Sequence, residues 1–367
     1  MEKRMQQQPN NIKTKSVRLA ICVVLIVAIQ CIVRLDGSVE HWFSSGLYPY
    51  VSGSLRVCFG WLPFSIGDLF YSCLILFFIV KTMRFLKQLF SRKMTWKRFV
   101  GRLFRVVVIC CSLYVVFYSF WGLNYYRKGI AYQLKMEKQP YSTAELSQLT
   151  KELALKASDY RKKVSPNQYK LDKSELFQKA KQAYDSVEKI YPFLQFKHKS
   201  TKASLFGGVG NYLGYTGYYN PFSGEAQVNM QTPPIVLPSV VCHEMAHQLG
   251  YATEDEANFV GYLAASHSQD NVFLYAIYLD LYEYAASELY VRDSVQYNAT
   301  RQSLDTLVRK DIRDIRLFYL TYRTKMRNVT NAIYGQYLKA NNQPQGIDTY
   351  SDVVSLLIAY RKKYGLI

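Results

Sequence analysis

The sequence predicts an α+β chain, predominantly helical, divided between an N-terminal membrane anchor and a larger polar domain. Three observations carry this. Residues 17–33, 64–80 and 106–123 are apolar runs about long enough to span a bilayer. Most of the remaining chain spaces leucine, alanine and tyrosine at three- and four-residue steps, the period of a helix. Only the stretch from Phe196 to Asn229 breaks that texture, with glycines, tyrosines and short alternating runs that read as strands and turns.

The start, Met1 to Lys15, is polar and basic and has no small-residue cleavage site, so an uncleaved anchor is expected. Between the first two runs, Arg34 to Pro63 alternates polar residues with Trp42, Tyr48, Tyr50 and Trp61, which suits an outer loop in the aromatic belt, with a possible half-inserted segment. Asp68, near the start of the second run, is expected to reach the headgroups. Between Lys81 and Arg105 lie Arg84, Lys87, Arg92, Lys93, Lys97, Arg98 and Arg102 without an acidic residue, and a short polybasic loop stays cytoplasmic. Lys3, Arg4, Lys13, Lys15 and Arg18 mark the N-terminus the same way. Residues 1–127 therefore read as an anchor with three crossings and the N-terminus inside. Residues 128–367 then lie outside the cytoplasm.

The outer domain opens on helices. Ser142 with Glu145 forms a capping box and Asp172 with Glu175 imitates one. Beyond His267 the chain reads as helical over Phe273 to Tyr290, Ser303 to Tyr337 with breaks, and Tyr350 to Tyr364, with a turn at Asn341 to Gly346.

The segment these helices surround reads His243-Glu244-Met245-Ala246-His247, or H-E-x-x-H. On a helix, positions i and i+4 share a face, so both imidazoles point at one ion while Glu244 sits beside them as a general base. Pro238 suits the first turn of that helix and Gly250 its end. Thr253 followed by Glu256 is a capping-box signature for a second helix. Zinc takes a third protein ligand and leaves a fourth position open, and Glu254, Asp255 and Glu256 compete for that role. His267 reads as a surface residue at a helix end, with a ligand role only if Glu254 fails. Glu225, in a Gly-Glu-Ala turn, is expected to cap or to pair with a basic residue. Tyr218, Tyr219, Tyr334 and Tyr337 are the hydroxyls considered for a developing oxyanion, and among 32 tyrosines the sequence selects none.

The run Glu254-Asp255-Glu256-Ala257-Asn258 resembles the E-x-x-A-D/N signature of gluzincin metallopeptidases. That resemblance implies Glu254 as the third ligand and Asn258 as a partner for a ligand histidine, and leaves Glu256 for capping. His247 and Glu254 are closer in sequence than in most gluzincins. The metzincin motif would need a third histidine at position 253, where this chain has Thr253. Over most of its length the chain resembles an uncharacterised family of bacterial membrane proteins, known as a domain of unknown function. The segments that carry this are W-G-L-N-Y-Y-R at 121–127, the H-E-M-A-H-Q-L-G and E-D-E-A-N-F pair, and Y-L-K-A-N-N-Q from 337. These resemblances imply a zincin-like domain with bound Zn2+. In such folds an edge strand ahead of the zinc helix pairs with extended substrate; a glycine-rich hairpin with only a structural role is the equal alternative for Phe196 to Asn229.

Composition narrows the partners. Net charge is +19, yet no zinc-finger, RRM or helix-turn-helix signature is present and the basic residues cluster beside apolar runs. That pattern implies a lipid surface and not nucleic acid. Six of the seven cysteines fall in or near the apolar third and only Cys242 beyond it, so no disulfide framework holds the outer domain. The expectation is a membrane-anchored zinc metallopeptidase that hydrolyses peptide bonds, with Glu244 as general base on a zinc-bound water. The alternative is a non-catalytic membrane-bound scaffold or ligand-binding module that keeps the fold.

Overall fold

The computed structural model describes residues 2–91, 95–165, 167–346, 352–365 and 367, and of residues 2–15 the backbone alone. The architecture is predominantly helical, with three short strands among the described residues. The chain forms two compact units, one of Met1–Tyr48 with Gly67–Arg127, the other of Pro49–Ile66 with Lys128–Ile367.

The first unit contains α1 (Glu2–Ile32), α3 (Ile66–Phe90) and α4 (Trp96–Phe120), while α2 (Tyr48–Phe59) falls almost wholly in the second. α3 and α4 are each long and apolar enough to cross a membrane, while the apolar part of α1, Ser16–Ile32, is shorter. Gln30 Nε2 donates to Tyr114 Oη (2.7 Å), tying α1 to α4. The stretch expected as a loop over 81–105 is largely helical, because α3 runs on to Phe90 and α4 starts at Trp96. Lysine and arginine lose little rotamer freedom in a helix, so the end of an apolar run does not end the helix. Thr95 caps α4, its Oγ1 accepting from Arg98 N (3.4 Å). Arg92 and Lys93 lie outside the described residues, as do the side chains of Lys3, Arg4, Lys13 and Lys15.

Two expectations for the loop after α1 change. Residues Val39–Leu47 form a π-helix that continues into α2, so most of the segment read as loop is helical. Trp42, Tyr50 and Trp61 are exposed as a belt would require, but Tyr48 is buried. Asp68 does not reach outward either. It is fully buried in the first turn of α3, where a carboxylate is favoured by the helix dipole.

In the second unit the helices before the strands are α5 (Gly129–Gln133), α6 (Thr143–Lys162) and α7 (Lys173–Val187). Ser142 and Glu145 form the expected capping box on α6, and Asp172 caps α7 by accepting from Glu175 N (2.8 Å). The strand region resolves into β1 (Thr201–Ala203), α8 (Gly207–Leu213), β2 (Gly217–Asn220) and β3 (Glu225–Val228). Sheet order is β1-β3-β2. β1 runs parallel to β3 with Thr201 opposite Ala226, and β2 antiparallel with Tyr218 opposite Gln227. β3 is therefore central and all four of its residues are buried, whereas β2 is an edge.

Then come α9 (Leu237–Gln248), α10 (Glu254–Ser266) and α11 (Asn271–Arg292), which with α6 and α7 enclose the core around Tyr184, Phe259, Phe273, Tyr275 and Tyr282. Pro238 sits in the first turn of α9, and Gly250 turns the chain beyond it at φ +84°. That left-handed conformation suits glycine and lets α10 fold back on α9. At the crossing, a Cβ on Gly261 of α10 would lie 3.1 Å from His243 N. The two helices thus touch backbone to backbone.

The last helices are α12 (Ser294–Ser303), α13 (Thr306–Thr321), α14 (Lys325–Ala340) and α15 (Val353–Tyr364). Asp293, Asp305 and Thr324 cap the first three, and the last two mark the breaks expected between 303 and 337. Tyr350, the expected start of the final helix, lies outside the described residues.

Candidate metal centre

α9 presents His243 and His247 one turn apart, with their Nε2 atoms 3.2 Å from each other. Glu254, the first residue of α10, directs Oε2 at both, 3.2 Å from His243 Nε2 and 3.7 Å from His247 Nε2. Two ligands at about 2.0–2.1 Å from a tetrahedral zinc would lie about 3.3 Å apart, so these spacings suit that ion. Hydrogen bonding on the far side of each ring fixes which nitrogen is free. His247 Nδ1 donates to Tyr251 O (2.6 Å), a carbonyl that can only accept, and His243 Nδ1 donates to Asn258 Oδ1 (2.7 Å). In each neutral ring the lone pair is then on Nε2 and faces the other two donor atoms. Glu254 Oε2 is buried and faces both imidazoles. These donor atoms meet in a buried place, and His243, His247 and Glu254 form the one group of this kind among the described residues that could hold a metal ion.

The same charges favour a proton between these groups. Burial works against charging His243, but its hydrogen bond to Glu254 and the charges of Glu244 and Glu254 prevail and raise its pKa to about 9. Burial also works against Glu254, yet hydrogen bonds with His243 and His247 hold its carboxyl well below the usual carboxylate range. Glu244 has no such partner. Burial pushes it up to about 7 against the pull of the two histidines, and its Oε2 is buried without a hydrogen bond. β2 presses close here, since a Cβ on Gly217 would come 2.5 Å from Glu244 Oε1.

The three competing carboxylates separate cleanly. Asp255 is ion-paired to Lys138 (2.7 Å). Glu256 does not complete a capping box, because Thr253 makes no side-chain cap and Glu256 Oε1 accepts from Ile130 N (2.8 Å). A distant backbone amide, brought near by the turn at Gly129 (φ +76°), takes the carboxylate that the local motif assigns to the cap. His267 ends α10 with Nδ1 on Leu263 O (2.7 Å) and takes no part in the cluster. Glu225 is not in a turn. It begins β3, fully buried, and accepts from Ile66 N (3.2 Å) and Ser223 Oγ (2.8 Å).

Of the four tyrosines considered, Tyr334 reaches the centre, donating to Glu254 Oε1 (2.5 Å), while Tyr337 stacks on Tyr334 at 5.9 Å. Tyr218 and Tyr219 belong to β2. Sequence reasoning missed Gln343, whose Oε1 accepts from Glu254 N (3.2 Å), and the buried Tyr284 near Asn258. It also missed the Tyr251 carbonyl. No side-chain pattern could reveal that one, but Gln343 lies inside the Y-L-K-A-N-N-Q run already noted.

Comparison with known proteins adds a family and nothing further. The family described as Protein of unknown function (DUF3810) matches residues 43–358. No curated protein matches the chain, and no solved structure does.

Proposed function

We propose that this chain, which belongs to the DUF3810 family of proteins of unknown function, is a membrane-anchored zinc metallopeptidase that hydrolyses peptide bonds outside the cytoplasm. The observation that carries the reading is the convergence of His243 Nε2, His247 Nε2 and Glu254 Oε2, with Glu244 buried beside them. Zinc held there would lower the pKa of a bound water to about 7 and polarise a substrate carbonyl. The chain itself would handle the proton. The buried Oε2 of Glu244, which has no hydrogen bond, is the atom available to accept a proton and return it to a leaving amine.

A zincin-like arrangement is supported by the pairing of α9 with α10 and by the edge strand β2 against Glu244. An extended peptide added to β2 would be held by its backbone, which favours broad sequence tolerance. For the anchor, basic residues at the N-terminus and around the α3–α4 connection support three crossings by α1, α3 and α4. With the N-terminus inside, the C-terminal domain would be periplasmic.

The test uses the full chain purified in detergent. About one zinc per chain is expected, with hydrolysis of a mixed peptide library. Glu244→Gln should keep the metal and lose roughly 10²- to 10⁴-fold in rate. Zinc retained by a His243→Ala/His247→Ala variant would sink the site, and zinc-bound protein that cleaves nothing would leave the scaffold reading in its place. Alkaline phosphatase fused after Lys128 should be active; a silent fusion there reverses the topology.

A further inference from the structure

Glu254 is held from two directions by one distant piece of chain. Tyr334, on α14, donates its hydroxyl to Oε1 (2.5 Å), and Gln343, just past the end of α14, accepts from the backbone N–H (3.2 Å). The other oxygen, Oε2, is the one that faces both imidazoles. The Tyr334 ring is itself oriented, because Tyr337 stacks on it one turn later, with the planes 18° apart. A carboxylate can offer a metal one oxygen or both. A strong hydroxyl donor on one oxygen draws charge from it and occupies it, leaving the second as the only ligand atom.

We propose that Tyr334 is a positioning residue that restricts Glu254 to single-oxygen ligation through Oε2, and so keeps the fourth position of the metal open. The inference rests on the metal reading above and specifies the geometry of that site. It also separates Tyr334 from the oxyanion role open to it in sequence terms. A hydroxyl committed to Glu254 is not free to donate to a reacting carbonyl. Without Tyr334, Oε1 would be released to join Oε2, and the ion would gain a fourth protein contact at the expense of the open position.

The experiment replaces zinc with Co2+, whose visible absorption is intense when four-coordinate and weak at higher coordination. Full-length protein in detergent is stripped with a chelator and titrated with Co2+ alone. Wild type should bind one equivalent with intense bands. Tyr334→Phe should bind roughly ten- to a hundredfold more weakly, as expected when the partner of a ligand is lost. Its bands should be weaker per bound ion, and the far-ultraviolet circular dichroism of the stripped protein should be unchanged. If wild type binds no cobalt, the metal reading itself fails. If wild type binds and Tyr334→Phe matches it in affinity and spectrum, this inference alone fails. Unchanged cobalt binding with a lowered kcat and an unchanged KM would also overturn it, by assigning Tyr334 to the oxyanion. Tyr337→Leu removes only the stacked ring and is expected to weaken cobalt in the same direction by a smaller factor. Unchanged affinity in that variant counts against the inference even if Tyr334→Phe does not fold.

Discussion

The α9–α10 pair and α14 serve the same three donor atoms in different ways. Each histidine is braced from nearby in the chain, His247 by the carbonyl of Tyr251 and His243 by Asn258 one helix later. Glu254 is braced by Tyr334 and Gln343, roughly eighty to ninety positions away. The surroundings differ as well. α10 is buried over most of its length, whereas α14 exposes Met326, Val329 and Ile333 and buries only Leu338. The histidine half of the site is thus built into the core, and the glutamate half depends on a peripheral helix. Local opening is easier where few apolar contacts are buried, so the glutamate half is the less stable one.

The sharpest test of that difference is the metal itself. His243→Ala with His247→Ala should abolish zinc binding, and Glu254→Gln should weaken it severely, both read as zinc per chain after dialysis. Asn258→Ala should cost roughly ten- to a hundredfold in affinity, because the imidazole it orients remains in place. A larger loss from Asn258→Ala than from Glu254→Gln would reverse the comparison.

A smaller effect is expected from β2. A Cβ at position 217 would meet Glu244 Oε1 at 2.5 Å and Gln227 O at 2.7 Å. One of these is backbone and cannot yield, so Gly217→Ala should push the Glu244 side chain away. Misplacing a base by about 1 Å can cost on the order of a hundredfold in rate. Zinc content should not change. Full activity in Gly217→Ala would mean that β2 does not constrain the base.

What the sequence made legible follows the same division between near and far. The H-E-x-x-H spacing located both histidines because a helix carries its own geometry, and Pro238 and Gly250 marked where that helix begins and turns. Glu254 and Asn258 came from a short signature next to it, and the structure brings both to the histidines. Tyr334 was one of four tyrosines without a means of choice, since its contact depends on how α14 returns to α10. The extent of α3 and α4 was underestimated for a related reason. Hydropathy registers what suits lipid, and the basic residues that extend those helices carry no such signal.

Glu256 was misread because a remote contact displaced a local one. Its carboxylate accepts from Ile130 N, at the start of α5. Glu256→Ala should therefore leave that amide without its partner and destabilise the protein by about 1–3 kcal/mol, with zinc binding retained. Chemical denaturation of the stripped protein measures this directly. Loss of zinc with unchanged stability would return Glu256 to the list of ligands.

The smallest effect distinguishes two helix starts with the same sequence signature. Ser142-x-x-Glu145 and Thr253-x-x-Glu256 both read as capping boxes, but only the first makes the bonds. Glu145 N donates to Ser142 Oγ (3.2 Å) and Ser142 N to Glu145 Oε2 (2.7 Å). Thr253 makes no side-chain cap, and the first amide of α10, Glu254 N, goes to Gln343. Losing a real serine cap costs about 0.5–2 kcal/mol. Ser142→Ala should fall in that range, measured as a shift in denaturation midpoint at constant slope. Thr253→Ala removes no cap bond and should stay within about 0.5 kcal/mol, as for substitutions that touch no such feature. If Thr253→Ala instead costs as much as Ser142→Ala, the start of α10 is held locally after all, and the dependence of the glutamate half on α14 is correspondingly weaker.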